Sequence, residues 1–227
     1  MSESLPVRPD APRVWPMYRA MVGVGLVCGL LIVSVFLWTR PVIERNRAEA
    51  LERAIFRVLP EARSSRSFRL ADPGRFERVE GPAAADRLVY AGYDEHRRLV
   101  GVALEARGMG YQDVIHVLYG YAAEAGAVIG LQVLESRETP GLGDKIESDP
   151  GFLKNFERLD VTLAADGAAL AHRVEFVKPG EKQHPWQIDG ITGATISSTA
   201  IARILDESAA FWIPRIHGRL DDFRGAE

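Results

Sequence analysis

The sequence predicts an α+β protein: one N-terminal transmembrane helix, then an antiparallel-sheet domain that closes with a C-terminal helix. Three observations carry this expectation. Residues 20–38, AMVGVGLVCGLLIVSVFLW, contain no charge and no proline. Between residues 87 and 134, four apolar strand-like segments alternate with short polar or glycine-bearing breaks. Residues 197–212 then carry Ile201, Ile204, Leu205, Ala209 and Phe211 on a broad helical face, and strands followed by a terminal helix are the pattern of an α+β layer.

Composition bounds the function classes. The 227 residues are 47% hydrophobic and 26% charged, which suffices for a packed core and excludes a disordered or collagen-like chain. The 28 basic and 31 acidic residues leave a net charge of -3, so no basic surface is offered to nucleic acid. Cys28 is the single cysteine, which excludes a disulfide framework and a cysteine-built metal site.

In chain order, residues 1–16 hold four prolines and no apolar periodicity, and are expected to be a disordered tail. The apolar run is about 28 Å long as a helix, the thickness of a bilayer's hydrocarbon core. Arg19 and Arg40 bracket it, with Tyr18 and Trp38 at the interfacial positions. A cleaved signal peptide would have a shorter apolar region ending in small residues, whereas this run exits through Thr39-Arg40-Pro41. The anchor is therefore placed at 17–40. Arg8, Arg13 and Arg19 precede it, and Arg40, Arg45, Arg47 and Arg53 follow it, so the positive-inside rule gives no orientation. Gly25 and Gly29 form a GxxxG pair that suits close helix approach, although glycine is common in such helices.

Beyond the anchor, Val42, Ile43, Ala50, Leu51, Ala54, Ile55 and Val58 recur at helical spacing. Residues 61–74 are polar and read as a linker, so residues 41–74 form a membrane-proximal segment and 75–227 the folded domain. Segments 87–93 and 99–105 predict one hairpin, and 114–119 and 128–134 a second. Residues 159–163 and 173–177 predict two short strands, and 149–156 a helical turn carrying Phe152 and Phe156 inward.

The chemistry is concentrated in Asp189-Gly190-Ile191-Thr192-Gly193-Ala194-Thr195 and the hydroxyls that follow, up to Ser198. It lies between a strand at 186–188 and the last helix, where free amides and the helix dipole suit a phosphate. A plain glycine turn with a serine N-cap explains the same residues. Other chemistries find little support. Gly141-Leu142-Gly143-Asp144-Lys145 lacks the GxxxxGK[ST] spacing, and no GxSxG elbow is present. His96, His116, His172, His184 and His217 are scattered without metal-ligand spacing.

Residues 189–195 resemble the flavinylation motif of FMN-binding domains in the G subunits of Rnf electron-transport complexes, and are similar to that of the C subunits of sodium-translocating NADH:quinone reductases. Glu138-Thr139-Pro140-Gly141-Leu142-Gly143 resembles the Glu-Thr-Pro-Gly-Leu-Gly loop of the same family. Gly110-Tyr111 also fits, while Gln112-Asp113 and Ser136 depart from the family pattern.

The resemblance implies that a flavin transferase moves FMN from FAD onto Thr195 as a phosphoester. Asp189, Gly190, Thr192, Gly193, Ala194 and Ser198 would surround the attachment. Glu138, Thr139, Pro140, Gly141, Leu142 and Gly143 would contact the flavin, with Leu142 packed on the ring. No catalytic residue and no metal site is implied, and the chain by itself is expected to have no activity. The implied protein is a single-pass component of the bacterial inner membrane, with a cytoplasmic tail and a periplasmic flavin domain. It would carry electrons among other membrane subunits of an ion-translocating ferredoxin:NAD oxidoreductase. A stand-alone flavin carrier, the C subunit of a quinone reductase and a non-redox anchored assembly module remain open on sequence alone.

Overall fold

In the computed structural model, residues 14–71, 74–79 and 87–224 are described. The chain divides into two compact units, Met1–Arg47 and Ala48–Glu227. The tail expected over 1–16 lies outside the described residues up to 13, and 14–16 are already helical.

Helix α1 (Val14–Val58) begins in the first unit and ends in the second. Its apolar side chains from Trp15 to Ile43, among them Val22, Leu26, Leu30 and Phe36, are exposed. Among the described residues it is the one helix long and apolar enough to cross a membrane. Helical spacing continues to Val58, but only the end of the helix is packed: Val42 and Ile43 are exposed, whereas Ala54, Ile55 and Val58 are buried.

The second unit is built on seven antiparallel strands: β1 (Ser64–Ala71), β2 (Arg75–Val79), β3 (Leu88–Tyr93), β4 (Leu99–Met109), β5 (Val114–Ala122), β6 (Ala127–Glu135) and β7 (Leu159–Asp160). Their order across the sheet is β2-β1-β3-β4-β5-β6-β7. Both expected hairpins form, as β3–β4 and β5–β6. The expected linker does not: 64–71 is strand β1, paired with both β2 and β3. It reads as polar because Phe68 is its one fully buried side chain. The strand expected at 159–163 keeps only two residues, followed by an isolated bridge from Leu163 to Leu170. β8 (Glu175–Val177) and β9 (Gln187–Asp189) form a separate parallel pair.

Strand alternation separates two cores. Val89, Ala91 and Tyr93 of β3, Val102 and Leu104 of β4, and Val117, Tyr119 and Tyr121 of β5 face one way. Helix α3 (Thr195–His217), with Ile201, Leu205, Trp212 and Ile213, covers this face. The short helices α2 (Pro150–Leu153) and α4 (Leu220–Arg224) fill its ends. Phe152 and Phe156 point inward as expected and meet edge to face at 5.2 Å. The opposite face, with Tyr90, Ala103 and Leu118, receives Ile55, Val58 and Leu59.

The approach on that second face depends on a lane of glycines across four strands: Gly92 opposite Gly101, and Gly120 opposite Gly130. A methyl on Gly120 would lie 2.2 Å from the Val58 carbonyl oxygen, and one on Gly130 2.8 Å from the Val58 Cα. Helix-end backbone therefore rests directly on sheet backbone, a contact that only glycine permits.

Candidate functional site

The two motifs singled out in the sequence lie 45 residues or more apart, yet both line one cleft of about 310 Å³. Its walls are Tyr111, Thr139, Leu142, Gly143, Gly193, Ala194, Thr195, Ile196 and Ser197. The volume is at the lower end of the range for small-molecule sites.

Each motif is a tight turn. The amide of Leu142 donates to the Thr139 carbonyl at 3.2 Å, with Gly141 at φ +77°. Proline second and a positive-φ glycine third is the type II arrangement. The amide of Ala194 donates to the Ile191 carbonyl at 3.1 Å, with Gly193 at φ +85°. The first turn runs into a 3₁₀ turn, Gly143–Glu147, and the second into α3.

Helix α3 starts at Thr195, two residues earlier than the periodicity suggests, and its N-cap is Ala194, which has no side-chain acceptor. The serine cap of the plain-turn reading is absent: the Ser198 amide bonds the Ala194 carbonyl, and its buried hydroxyl accepts from the Ile191 amide at 3.2 Å. The amides of Thr195, Ile196 and Ser197 have no hydrogen-bond acceptor among the described residues. Thr195 is exposed, and its hydroxyl has no hydrogen-bond partner among them either. Uncapped amides at the positive end of a 23-residue helix are a physical match for a phosphate.

Glu138 joins the two motifs from behind. It is 6% exposed, and one carboxylate oxygen accepts from the amides of Tyr111 and Gln112 at 3.0 and 3.1 Å. The Ser197 hydroxyl donates to the other oxygen. Gly110 and Gly143 press against the same carboxylate: a Cβ on either would fall within 2.5 Å of a Glu138 oxygen. Glu138 thus clamps the β4–β5 hairpin, the Thr-Pro-Gly turn and the first turn of α3. Its carboxylate is engaged inside the protein.

The other expected residues divide. Thr139, Leu142, Gly143, Gly193, Ala194 and Thr195 come together in the cleft. Pro140 and Gly141 shape the turn from its outer side. Ser198 is withdrawn into the core. Asp189, Gly190 and Thr192 belong to an adjoining cleft of about 340 Å³, shared with Lys145, Asp149, Gly151, Phe152 and Ile191. There the Asp189 carboxylate accepts from the Gly180 amide at 2.7 Å, and its backbone is held by buried Asn155 through bonds of 3.0 Å in both directions. Gly190 is needed for packing, since a Cβ there would meet the Phe176 ring at 2.4 Å.

Ile196, Ser197 and Lys145 were not legible as site residues. Ile196 is 56% exposed, an apolar residue on the outward phase of α3, and with Tyr111 and Leu142 it gives the cleft an apolar rim. Among the described residues, such exposure of large apolar side chains outside the first unit is otherwise limited to Met109 and Val114, in the same β4–β5 hairpin.

These residues fit a flavin phosphate on chemical grounds: an apolar slot, a polar turn on each side, free amides and an accessible hydroxyl. A sequence model of the FMN-binding domain family matches residues 110–210. The G subunit of an ion-translocating oxidoreductase complex from Methanosarcina acetivorans is 28% identical over 210 residues, covering 89% of this chain and 96% of that protein. The corresponding protein from Stutzerimonas stutzeri is 31% identical, covering 86% of this chain and 82% of that protein. Among solved structures, the C subunit of a sodium-translocating NADH-quinone reductase from Parabacteroides distasonis aligns with a TM-score of 0.56 at 18% identity, over 81% of this chain and 96% of that one, and so shares the fold. The chain belongs to the family of G subunits of ion-translocating oxidoreductase complexes, with the FMN-binding domain in its C-terminal half.

Proposed function

We propose that this protein is the membrane-anchored electron carrier of an Rnf-type ion-translocating ferredoxin:NAD oxidoreductase complex, holding FMN as a phosphoester on Thr195. The observation that carries the attachment is the position of that side chain. Thr195 opens α3 at the edge of the cleft, with an exposed hydroxyl that no protein group among the described residues occupies.

In the attachment step the Thr195 oxygen attacks the FMN-side phosphorus of FAD on a flavin transferase. The Thr–O–P bond forms, the pyrophosphate bond breaks, AMP leaves and the hydroxyl proton is released. Neither reactant is oxidised or reduced. Ser198 sits in the core, so it does not compete for the phosphate at the α3 amides. When bound, FMN supplies one-electron redox chemistry to the complex. The chain's own task is to hold it: Thr139, Leu142 and Gly143 on one side, Gly193, Ala194 and Thr195 on the other, with Glu138 fixing both turns. Tyr111 and Ile196 join Leu142 in keeping water from the apolar part of the slot.

The exposed apolar run of α1 and the family support a single-pass anchor in the inner membrane, with residues 1–16 cytoplasmic and the flavin domain periplasmic. Tethering by an ester suits a compartment that does not supply free FMN. The other membrane subunits of the complex would be its donor and acceptor. The test is the intact mass of the full chain co-expressed with its flavin transferase. A gain of one FMN phosphoester, with fluorescence surviving a denaturing gel, is expected. Thr195→Ala loses both. Flavin retained through the gel by the alanine variant rejects Thr195 as the linkage residue.

A further inference from the structure

Resting on that reading, we propose that Lys145 is the residue that binds the flavin phosphate, closing its seat opposite the α3 amides and governing how fast Thr195 is loaded. The Gly-Leu-Gly-Asp-Lys run to which it belongs fails as a nucleotide-hydrolysis loop by spacing, and nothing in the flavin slot described above uses its cation.

The Lys145 ammonium lies 4.0 Å from where a Cβ on Gly193 would stand, against the turn that delivers Thr195 to the helix start. Its backbone is fixed: the amide donates to the Leu142 carbonyl at 3.3 Å, and its own carbonyl accepts from Ser148 and Asp149 at 3.2 and 2.9 Å. The side chain therefore springs from a rigid turn. It is half-buried, and no carboxylate approaches it within 4.0 Å among the described residues. The two acids in its cleft are engaged elsewhere, Asp149 as the N-cap of α2 through the Phe152 amide and Asp189 by the Gly180 amide.

An ammonium with no carboxylate partner is available to an arriving anion. A phosphate on Thr195 is an anion of the right kind at the right turn, facing the Thr195, Ile196 and Ser197 amides on one side and Lys145 on the other. Gly193 has no side chain to stand between them. Lys145 also lowers the charge repulsion as the Thr195 oxygen attacks the phosphorus of FAD. It takes no proton and forms no bond.

The experiment uses the full chain in detergent, purified without flavin and incubated with the flavin transferase and FAD. The rate of mass gain is followed for wild type, Lys145→Gln and Lys145→Arg, and the ³¹P resonance of each loaded, folded product is recorded. Loss of a charge-assisted bond predicts loading slowed roughly tenfold or more in Lys145→Gln. Lys145→Arg keeps the charge and is expected within about threefold of wild type. The phosphodiester resonance of Lys145→Gln moves by more than its linewidth, while circular dichroism and melting stay as in wild type. If wild type loads and Lys145→Gln loads equally fast with an unmoved resonance, Lys145 is not the phosphate's partner, and the Thr195 linkage stands. If wild type gains no mass, the Thr195 reading falls and this proposal with it.

Discussion

Replacing Glu138 with alanine separates a structural clamp from a ligand contact. The carboxylate is 6% exposed and satisfies three donors: the Tyr111 amide at 3.0 Å, the Gln112 amide at 3.1 Å and the Ser197 hydroxyl. A buried donor stripped of its acceptor costs about 1–3 kcal/mol, and the two hairpin amides can recover part of this by turning to water. The expected loss is about 3 kcal/mol in the flavin-free protein. For a domain of this size each kcal/mol lowers the melting temperature by about 2–4 °C, so Glu138→Ala should melt about 6–12 °C below wild type. Glu138→Gln keeps an acceptor for the amides and can donate to Ser197, so its cost is about 1 kcal/mol. The assay is thermal unfolding of the flavin-free full chain in detergent, followed by tryptophan fluorescence. An alanine variant that melts within about 2 °C of wild type would refute the clamp.

Gly120→Ala drives a methyl to 2.2 Å from the Val58 carbonyl; overpacking against backbone is expected to cost about 3 kcal/mol or more. The measured outcome is a large drop in folded yield and in melting temperature, whereas alanine at exposed Gly25, where no atom lies within 4 Å, leaves both unchanged. Alkali tests the buried tyrosines. Burial pushes Tyr121 up to about 12, and burial also raises Tyr119 and Tyr90, the latter further by its hydrogen bond to Glu105 at 2.7 Å. The unfolded chain ionises near the usual 10 and the folded one later, so this stabilisation is complete below pH 10 and is lost as pH rises toward 12 and beyond. Phenolate absorbance should therefore rise in step with unfolding for these residues; full ionisation near pH 10 with circular dichroism intact contradicts their burial.

What the sequence by itself determined is whatever depends on local periodicity or short motifs. The charge-free run at 20–38 marks the membrane helix because no soluble fold needs such a stretch exposed. Apolar runs bounded by polar or glycine-bearing breaks mark β3 through β6, since strands covered on both faces need not alternate. The turns at 139–142 and 191–194 are legible because a type II turn needs a residue such as glycine at its third position, and Gly141 and Gly193 supply it. Tertiary structure alone decided the rest. Strand β1 looked like a linker because one phenylalanine holds its place in the sheet through pairing on both edges, which no local pattern encodes. Glu138 and Ser198 looked like ligand contacts because polar residues in a site motif are read as facing out. Here they face in, and a buried oxygen must be paired, so their hydrogen bonds hold the cleft's walls instead. Lys145 and Thr195 are 50 positions apart in sequence. Only the packing of the 3₁₀ turn beside the start of α3 brings the Lys145 ammonium against the Gly193 turn that precedes Thr195.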